Sequence, residues 1–268
     1  MLFRSIGQPT DRTAHIGVHP QQQAGLNYAG VCLTGGRLTP KQMRGLAALA
    51  DRYGSGSLAL TVWQNIIVRD LPDSVLPAFQ ASLTALGLAT TASSFAAGMI
   101  ACTGNQGCRF ANADTKAHAM GLTAFLEKNV TDPGMLNIHL TGCPNSCAQH
   151  RIGDIGLLGT RIIVGDDDIE GYHLFLGGGY GSFARIGESF IENIPASALN
   201  PTVQALIESV MSHASRDETF ATVVARLTVR QLAEIKSALT GRLTTQDRNK
   251  SQSAADASAG FSNAAVVS

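Results

Sequence analysis

Two close pairs of cysteines constrain this chain more than any other feature. Cys102 and Cys108 stand in the run Ala101-Cys102-Thr103-Gly104-Asn105-Gln106-Gly107-Cys108, and Cys143 and Cys147 in Thr141-Gly142-Cys143-Pro144-Asn145-Ser146-Cys147. Two glycine-rich loops that together offer four soft thiolates read as one metal site, and both zinc and a cubane-type iron-sulfur cluster accept such a quartet. Zinc quartets usually begin with cysteines two to four residues apart, because a tight knuckle presents both sulfurs to one small ion. The first pair here is wider, C-x5-C. A wider loop suits two corners of a larger object, and Gly104 and Gly107 let backbone amides turn toward its sulfurs. The spacing therefore favours an iron-sulfur site. Zinc, or four buried or disulfide-bonded cysteines without metal, are the competing readings, and the absence of a secretory signal weakens the last. The fifth cysteine, Cys32, reads as a small buried apolar residue on a strand.

The rest of the composition sets outer limits. A chain of 268 residues that is 44% hydrophobic can bury a substantial core. Its twenty basic and twenty acidic residues cancel, so nothing advertises a nucleic-acid or anionic-membrane partner. No apolar run approaches the roughly 18 residues of a membrane span; the mildest, Ala92 to Cys102, is broken by Ser93, Ser94 and Gly98. Residues Met1 to Arg12 lack the apolar core of a signal peptide. The expectation is a soluble protein of a reducing, cytoplasmic compartment.

Periodicity divides the chain into a lead-in (1–14), a first region (15–94), a cysteine-bearing region with a helical end (95–241) and a tail (242–268). In the first region Leu26 to Leu33 reads as a strand. Thr39 caps a helix with Pro40 in its first turn, apolar Met43, Leu46, Ala47 and Ala50, and Gly54 as the stop. Leu58, Leu60 and Val62 alternate along a strand continuing toward Ile67 and Val68, and Asp73 opens a helix carrying Leu76, Phe79, Leu83 and Leu86. This predicts a compact β-α-β-α unit of ferredoxin-like type within an α+β fold. Downstream, Asp114 to Lys128 reads as a helix, Leu136 to Leu140 as a short strand, and Ile155 to Val164 and Tyr172 to Leu176 as two more. Gly177-Gly178-Gly179 is either a turn or a set of amides for a cofactor's carboxylates. It is no dinucleotide fingerprint, since the G-x-G-x-x-G spacing is absent. Asn200 and Pro201 start a further helix, and Thr228 with Gln231 forms a capping box for another. The tail is rich in Ser, Ala, Thr, Gln and Asp and reads as disordered.

Several stretches together carry a family resemblance. Ala101-Cys102-Thr103-Gly104-Asn105 with Cys108, then Thr115-Lys116, Thr141 through Gln149, and Asp154-Ile155-Gly156, resemble the sirohaem and [4Fe-4S] cluster domain of nitrite and sulfite reductases. His19-Pro20-Gln21, Gly36-Arg37-Leu38 and Thr61-x-x-Gln64-Asn65 are similar to the second ferredoxin-like half-repeat of that family. The Thr-Gly-Asn loop and the Asn-Ser before Cys147, followed by Gln149, resemble the ferredoxin-dependent nitrite reductases more than the sulfite reductases.

The resemblance implies six-electron reduction of nitrite to ammonia on a sirohaem iron, with electrons delivered through the cluster by reduced ferredoxin or a similar carrier. It implies that Cys102, Cys108, Cys143 and Cys147 ligate the cluster and that Cys147 also bridges to the sirohaem iron. Arg37, Gln64, Asn65, Asn105 and Asn145 become candidate cofactor contacts by motif position, with strand-end hydrogen bonding the competing reading of Arg37, Gln64 and Asn65. Lys116 reads equally as a solvated helix residue, and neither His139 nor His150 reads as a haem ligand. Complete family members resemble two copies of this fold. Only the second copy is recognisable here, so the chain reads either as one half of a split enzyme, with a second chain supplying the basic lining of the substrate pocket, or as a fragment of a longer product. The rival readings are a sulfite reductase, a precorrin-3B synthase-like protein, and an iron-sulfur electron-transfer module without substrate chemistry.

Overall fold

The computed structural model describes residues 14–181 and 184–243. The expected disorder of the tail and most of the lead-in fall outside them. Two sheets carry the architecture. The first is wholly antiparallel, with strands β1 (Gly17–Pro20), β2 (Leu26–Val31), β3 (Leu58–Leu60) and β4 (Ile66–Pro72) in the order β1-β2-β4-β3. Helices α1 (Pro40–Tyr53) and α2 (Leu76–Ala85) cover one face, and Ala29, Val31, Leu46, Val68, Leu71, Phe79 and Leu83 form the core between. The expected cap at Thr39 is a full capping box: Gln42 donates its N–H to Thr39 Oγ1, and the Thr39 N–H donates to Gln42 Oε1.

The single strand expected from Leu58 through Val68 is instead a hairpin. Thr61 N donates to Asn65 O at 3.0 Å, Gln64 N to Thr61 O at 3.1 Å, and Gln64 adopts φ 60. The alternation of Leu58, Leu60 and Val62 misled because it marks an exposed side: Leu60 and Val62 are 84% and 83% accessible. Strand β1 also escaped the periodicity, so the unit is β-β-α-β-β-α rather than β-α-β-α.

The second sheet is mixed, in the order β5-β6-β7-β8-β9. Strands β5 (Met99–Ala101), β6 (Ile138–Thr141) and β7 (Ile155–Val164) run parallel; β8 (Asp167–Leu176) and β9 (Glu188–Pro195) continue antiparallel. Ahead of β5 lies the short helix α3 (Ser94–Gly98). One face is packed by α4 (Thr115–Asn129), α5 (Leu199–Met211), α6 (Phe220–Arg226) and a helix over 229–243, which we call α7. Leu122, Leu126, Leu140, Leu157, Leu174, Leu206 and Phe220 meet there with almost no exposure. Strands β5 and β9 were not legible: β5 is three wholly buried residues, and the register shifts along β8 against β9 break the period-two pattern. The capping box at Thr228 and Gln231 forms as expected.

Close approach at β5 depends on Gly98. A Cβ there would lie 1.8 Å from Leu136 O. Gly121, exposed within α4, has nothing within 4 Å of such an atom. Gly98→Ala is expected to destabilise the fold by about 3 kcal/mol or more through forced separation of the strand leading into the first cysteine loop. Gly121→Ala should stabilise it by about 0.5–1 kcal/mol. Urea unfolding of the two variants checks the contrast, and similar midpoints for both would contradict it.

Candidate cofactor site

Both cysteine loops leave the carboxyl ends of adjacent parallel strands. Cys102 follows β5 directly, and its N–H donates to Leu140 O at 3.0 Å, extending the pairing with β6 by one residue. Beyond β6, Gly142 donates its N–H to Cys102 Sγ at 3.1 Å, so the loops touch at a sulfur. The contact depends on a missing side chain, since a Cβ on Gly142 would lie 2.6 Å from Ala111 Cβ. Carboxyl ends of parallel strands are where open sheets of this kind bind ligands.

Each loop is held by its own turns. In the first, Gly104 takes φ 73, and the N–H groups of Gly107 and Cys108 both donate to Gly104 O, at 3.2 and 2.9 Å. Asn112 N donates to Gly142 O at 2.8 Å, tying the loops a second time. In the second, Ser146 and Gln149 are left-handed, with φ 56 and 54, and Ala148 N donates to Thr141 Oγ1 at 3.3 Å. Ser146 Oγ lies 3.0 Å from His150 Nδ1.

All five cysteines are free thiols. Cys143 is buried, Cys102 and Cys108 are half-buried, and Cys147 is exposed. Among the described residues no three His, Cys, Asp or Glu side chains converge on the volume of a single metal ion. A zinc quartet would need four sulfurs each about 2.3 Å from one point. Four thiolates on two touching loops fit a polynuclear centre by the chemistry of their donor set. Cys32 stands apart. Its neighbour Glu127 is near the far end of α4 from Thr115, which touches Cys102, a separation of about 18 Å along the helix. Burial, with a smaller contribution from Glu127, pushes its thiol up to about 11, and it is half-buried rather than the fully buried residue expected.

The other predicted residues occupy varied places. Gln64 forms a two-point amide bridge to Ala101, donating from Nε2 to its O at 2.8 Å and accepting its N–H at Oε1 at 3.2 Å. Asn65 is buried and accepts the Leu33 N–H at Oδ1 at 2.7 Å. Gln64 thus serves the backbone just before Cys102, and Asn65 that just after β2. Arg37 and Asn145 are exposed. Asn105 donates from Nδ2 to Glu170 Oε1 at 2.6 Å, while its Oδ1 is buried without a hydrogen-bond partner among the described residues. Gly177 and Gly179 spend their N–H groups on Asp154 O and Arg185 O, Gly179 forming an antiparallel bridge with Arg185, so these two amides are taken up by the backbone.

Sequence reasoning missed Glu170. From β8 it accepts both the Asn105 amide and the Asp114 N–H, the latter at 2.9 Å, bracketing the first loop. No sequence signal distinguishes it from Asp166, Asp167 and Asp168 beside it. Trp63, at the tip of the β3–β4 turn, was missed too; it stacks near Tyr180 and His139 with ring centroids 4.5 and 6.1 Å away.

Burial, aided by Arg151, lowers the pKa of His150 from 6.5 to about 4. Between those values the unfolded chain takes up a proton that the folded chain refuses, so stability contributed by neutral His150 is lost as pH falls from about 6.5 toward 4. His150→Gln, which can still meet Ser146, should flatten that part of the profile. Urea unfolding at pH 7, 6 and 5 tests this, and identical slopes for the two proteins would contradict it.

Two family models match the chain: a nitrite/sulfite reductase ferredoxin-like half domain over residues 19–86 and a nitrite and sulphite reductase 4Fe-4S domain over 94–239. A ferredoxin–nitrite reductase of Synechococcus elongatus is 39% identical over 72% of this chain and 38% of its own length. An assimilatory ferredoxin-dependent nitrite reductase of Haloferax mediterranei is 34% identical over 80% of this chain and 37% of its own. The chain thus spans well under half the length of the relatives it matches. Among solved structures, the NirA protein of Mycobacterium tuberculosis superposes with a TM-score of 0.76 at 30% identity, covering 85% of this chain and 42% of that one. A dissimilatory sulfite reductase I superposes at 0.64 over 79% of this chain and 69% of that one, and at 14% identity its likeness concerns the fold alone.

Proposed function

The chain belongs to the nitrite and sulphite reductase family, and from that membership we propose that it is the redox-centre half of a ferredoxin-dependent nitrite reductase. In this reading Cys102, Cys108, Cys143 and Cys147 hold a [4Fe-4S] cluster and Cys147 is shared with the iron of a sirohaem. The observation that carries the reading is the graded exposure of the four cysteine residues: Cys147 is exposed, as suits a ligand reaching a second metal, Cys102 and Cys108 are half-buried, and Cys143 is buried. Bound together, sirohaem and cluster supply the substrate-binding iron and the electron store for six-electron reduction of nitrite to ammonia.

The chain's own residues hold and orient these groups. Gly142 N–H is already directed at Cys102 Sγ. Gln64 fixes the backbone just before the first loop and acts on the cofactors through it, while Asn65 holds the backbone at Leu33. Arg37, whose fork matches a carboxylate, and Asn145 beside Cys147 remain exposed for direct contact with a tetrapyrrole. Asn105 offers the buried Oδ1 as an acceptor. Reduced ferredoxin delivers the electrons, and a segment corresponding to the remainder of the relatives completes the anion-binding side.

Among the described residues no helix is long and apolar enough to cross a membrane. Free cysteines throughout suit a reducing compartment, which we take to be the cytoplasm.

Two measurements test the proposal. The absorption spectrum of anaerobically purified protein should show a sirohaem Soret and long-wavelength band over broad cluster absorption. Cys147→Ser should disturb both contributions, whereas Cys32→Ser should leave them unchanged; an intact haem spectrum in Cys147→Ser would rule out the shared ligand. Nitrite-dependent oxidation of a reduced viologen dye with ammonia as product is the expected activity once the complementary segment is added. Faster turnover of sulfite would reassign the substrate. Silence with both cofactors loaded and that segment present would favour an electron-transfer module.

A further inference from the structure

Where the first sheet meets the first cysteine loop, a cation stands without a carboxylate. Lys116, in the first turn of α4, donates from Nζ to Ala101 O at 2.7 Å, to Gln64 Oε1 at 3.3 Å, and to Gly35 O. All three acceptors are neutral. Among the described residues no carboxylate lies within ion-pair distance of Lys116 or of Arg37, the nearby cation that repels it. A partly buried ammonium is costly unless an anion faces it. Burial accordingly lowers its pKa, and the one group whose negative charge opposes that shift is Cys102. The residue that gives Lys116 its 2.7 Å acceptor directly precedes that cysteine.

We propose that Lys116 is the fixed countercharge of the Cys102 thiolate and sets the reduction potential of an iron-sulfur centre bound there. Reduction by one electron, supplied by an iron-sulfur carrier or by dithionite, moves no atom and adds one negative charge to the centre. An ammonium pinned nearby therefore stabilises the reduced form more than the oxidised one. Three acceptors drawn from two parts of the fold keep Nζ from swinging into solvent. The amino end of α4, with Thr115 Oγ1 3.5 Å from Cys102 Sγ, adds its positive dipole in the same direction. A mere clamp would hold the two parts together without this electrostatic effect.

The inference rests on the four-cysteine reading. Its test is a potentiometric titration of the anaerobically purified, cluster-loaded protein, followed by the EPR signal of the reduced centre. Lys116→Met should be reduced about tenfold less readily at a given potential, a midpoint about 59 mV lower for one electron. Lys116→Arg, which keeps the charge, should shift far less. Equal midpoints for wild type and Lys116→Met overturn the proposal, as does an equal shift in the arginine variant. If Lys116→Met fails to hold a cluster, Gln64→Glu decides, because it sets a carboxylate beside the retained ammonium: a lowered midpoint supports the countercharge, and an unchanged one overturns it. A wild-type chain that binds no cluster removes the four-cysteine reading and this inference with it, whereas unchanged midpoints in loaded variants remove the inference alone.

Discussion

The parallel pairing of β5 with β6 is the constraint on which the rest of the structure depends. Met99 lies against Ile138 and Ala101 against Leu140, and the residue that follows β5 is already Cys102. Because parallel strands end on the same side of a sheet, the pairing delivers both cysteine loops to one place despite the intervening α4. The apolar residues of these strands are buried against α4 and α5, so the packing that stabilises the sheet also fixes where the sulfurs emerge.

Around that pairing, glycines and polar side chains set the fine geometry. Gly98 lets the chain enter β5 at a distance no side chain would permit, and Gly142 lets the second loop reach the first. Gln64, reaching from the other sheet, satisfies both backbone groups of Ala101 on the free edge of β5. Lys116 caps the same carbonyl and that of Gly35, where left-handed Gly35 and Gly36 turn the backbone toward it. Glu170 closes the opposite side of the loop. The first cysteine loop is thereby held from three elements, an amount of support suited to a centre that must keep its geometry as its charge changes.

Much of the site was legible in the order of residues along the chain. The cysteine spacing, the glycines between them and the flanking motifs identified the family, because ligand chemistry demands particular residues at particular separations. Helices α1, α4, α5 and α7 were legible through their apolar stripes and caps, as at Thr39 and Thr228. What the pattern hid has common physical causes. The hairpin at 61–65 depends on the left-handed backbone of Gln64, a residue with no strong turn signature. Strand β5 is too short to show a period, and β9 is interrupted by register shifts.

The sequence by itself determined that two cysteine pairs lie in the family's 4Fe-4S domain and that an α+β scaffold carries them, since both follow from residue type and spacing along the chain. Only the tertiary structure decided which thiolate is open. Exposure depends on what the fold lays over each sulfur, and that leaves Cys147 accessible and Cys143 covered. It also decided the roles of Gln64, Lys116 and Glu170. Their partners Ala101, Gly35, Asn105 and Asp114 lie far away in the chain, and hydrogen bonds across such separations leave no periodic trace in a sequence.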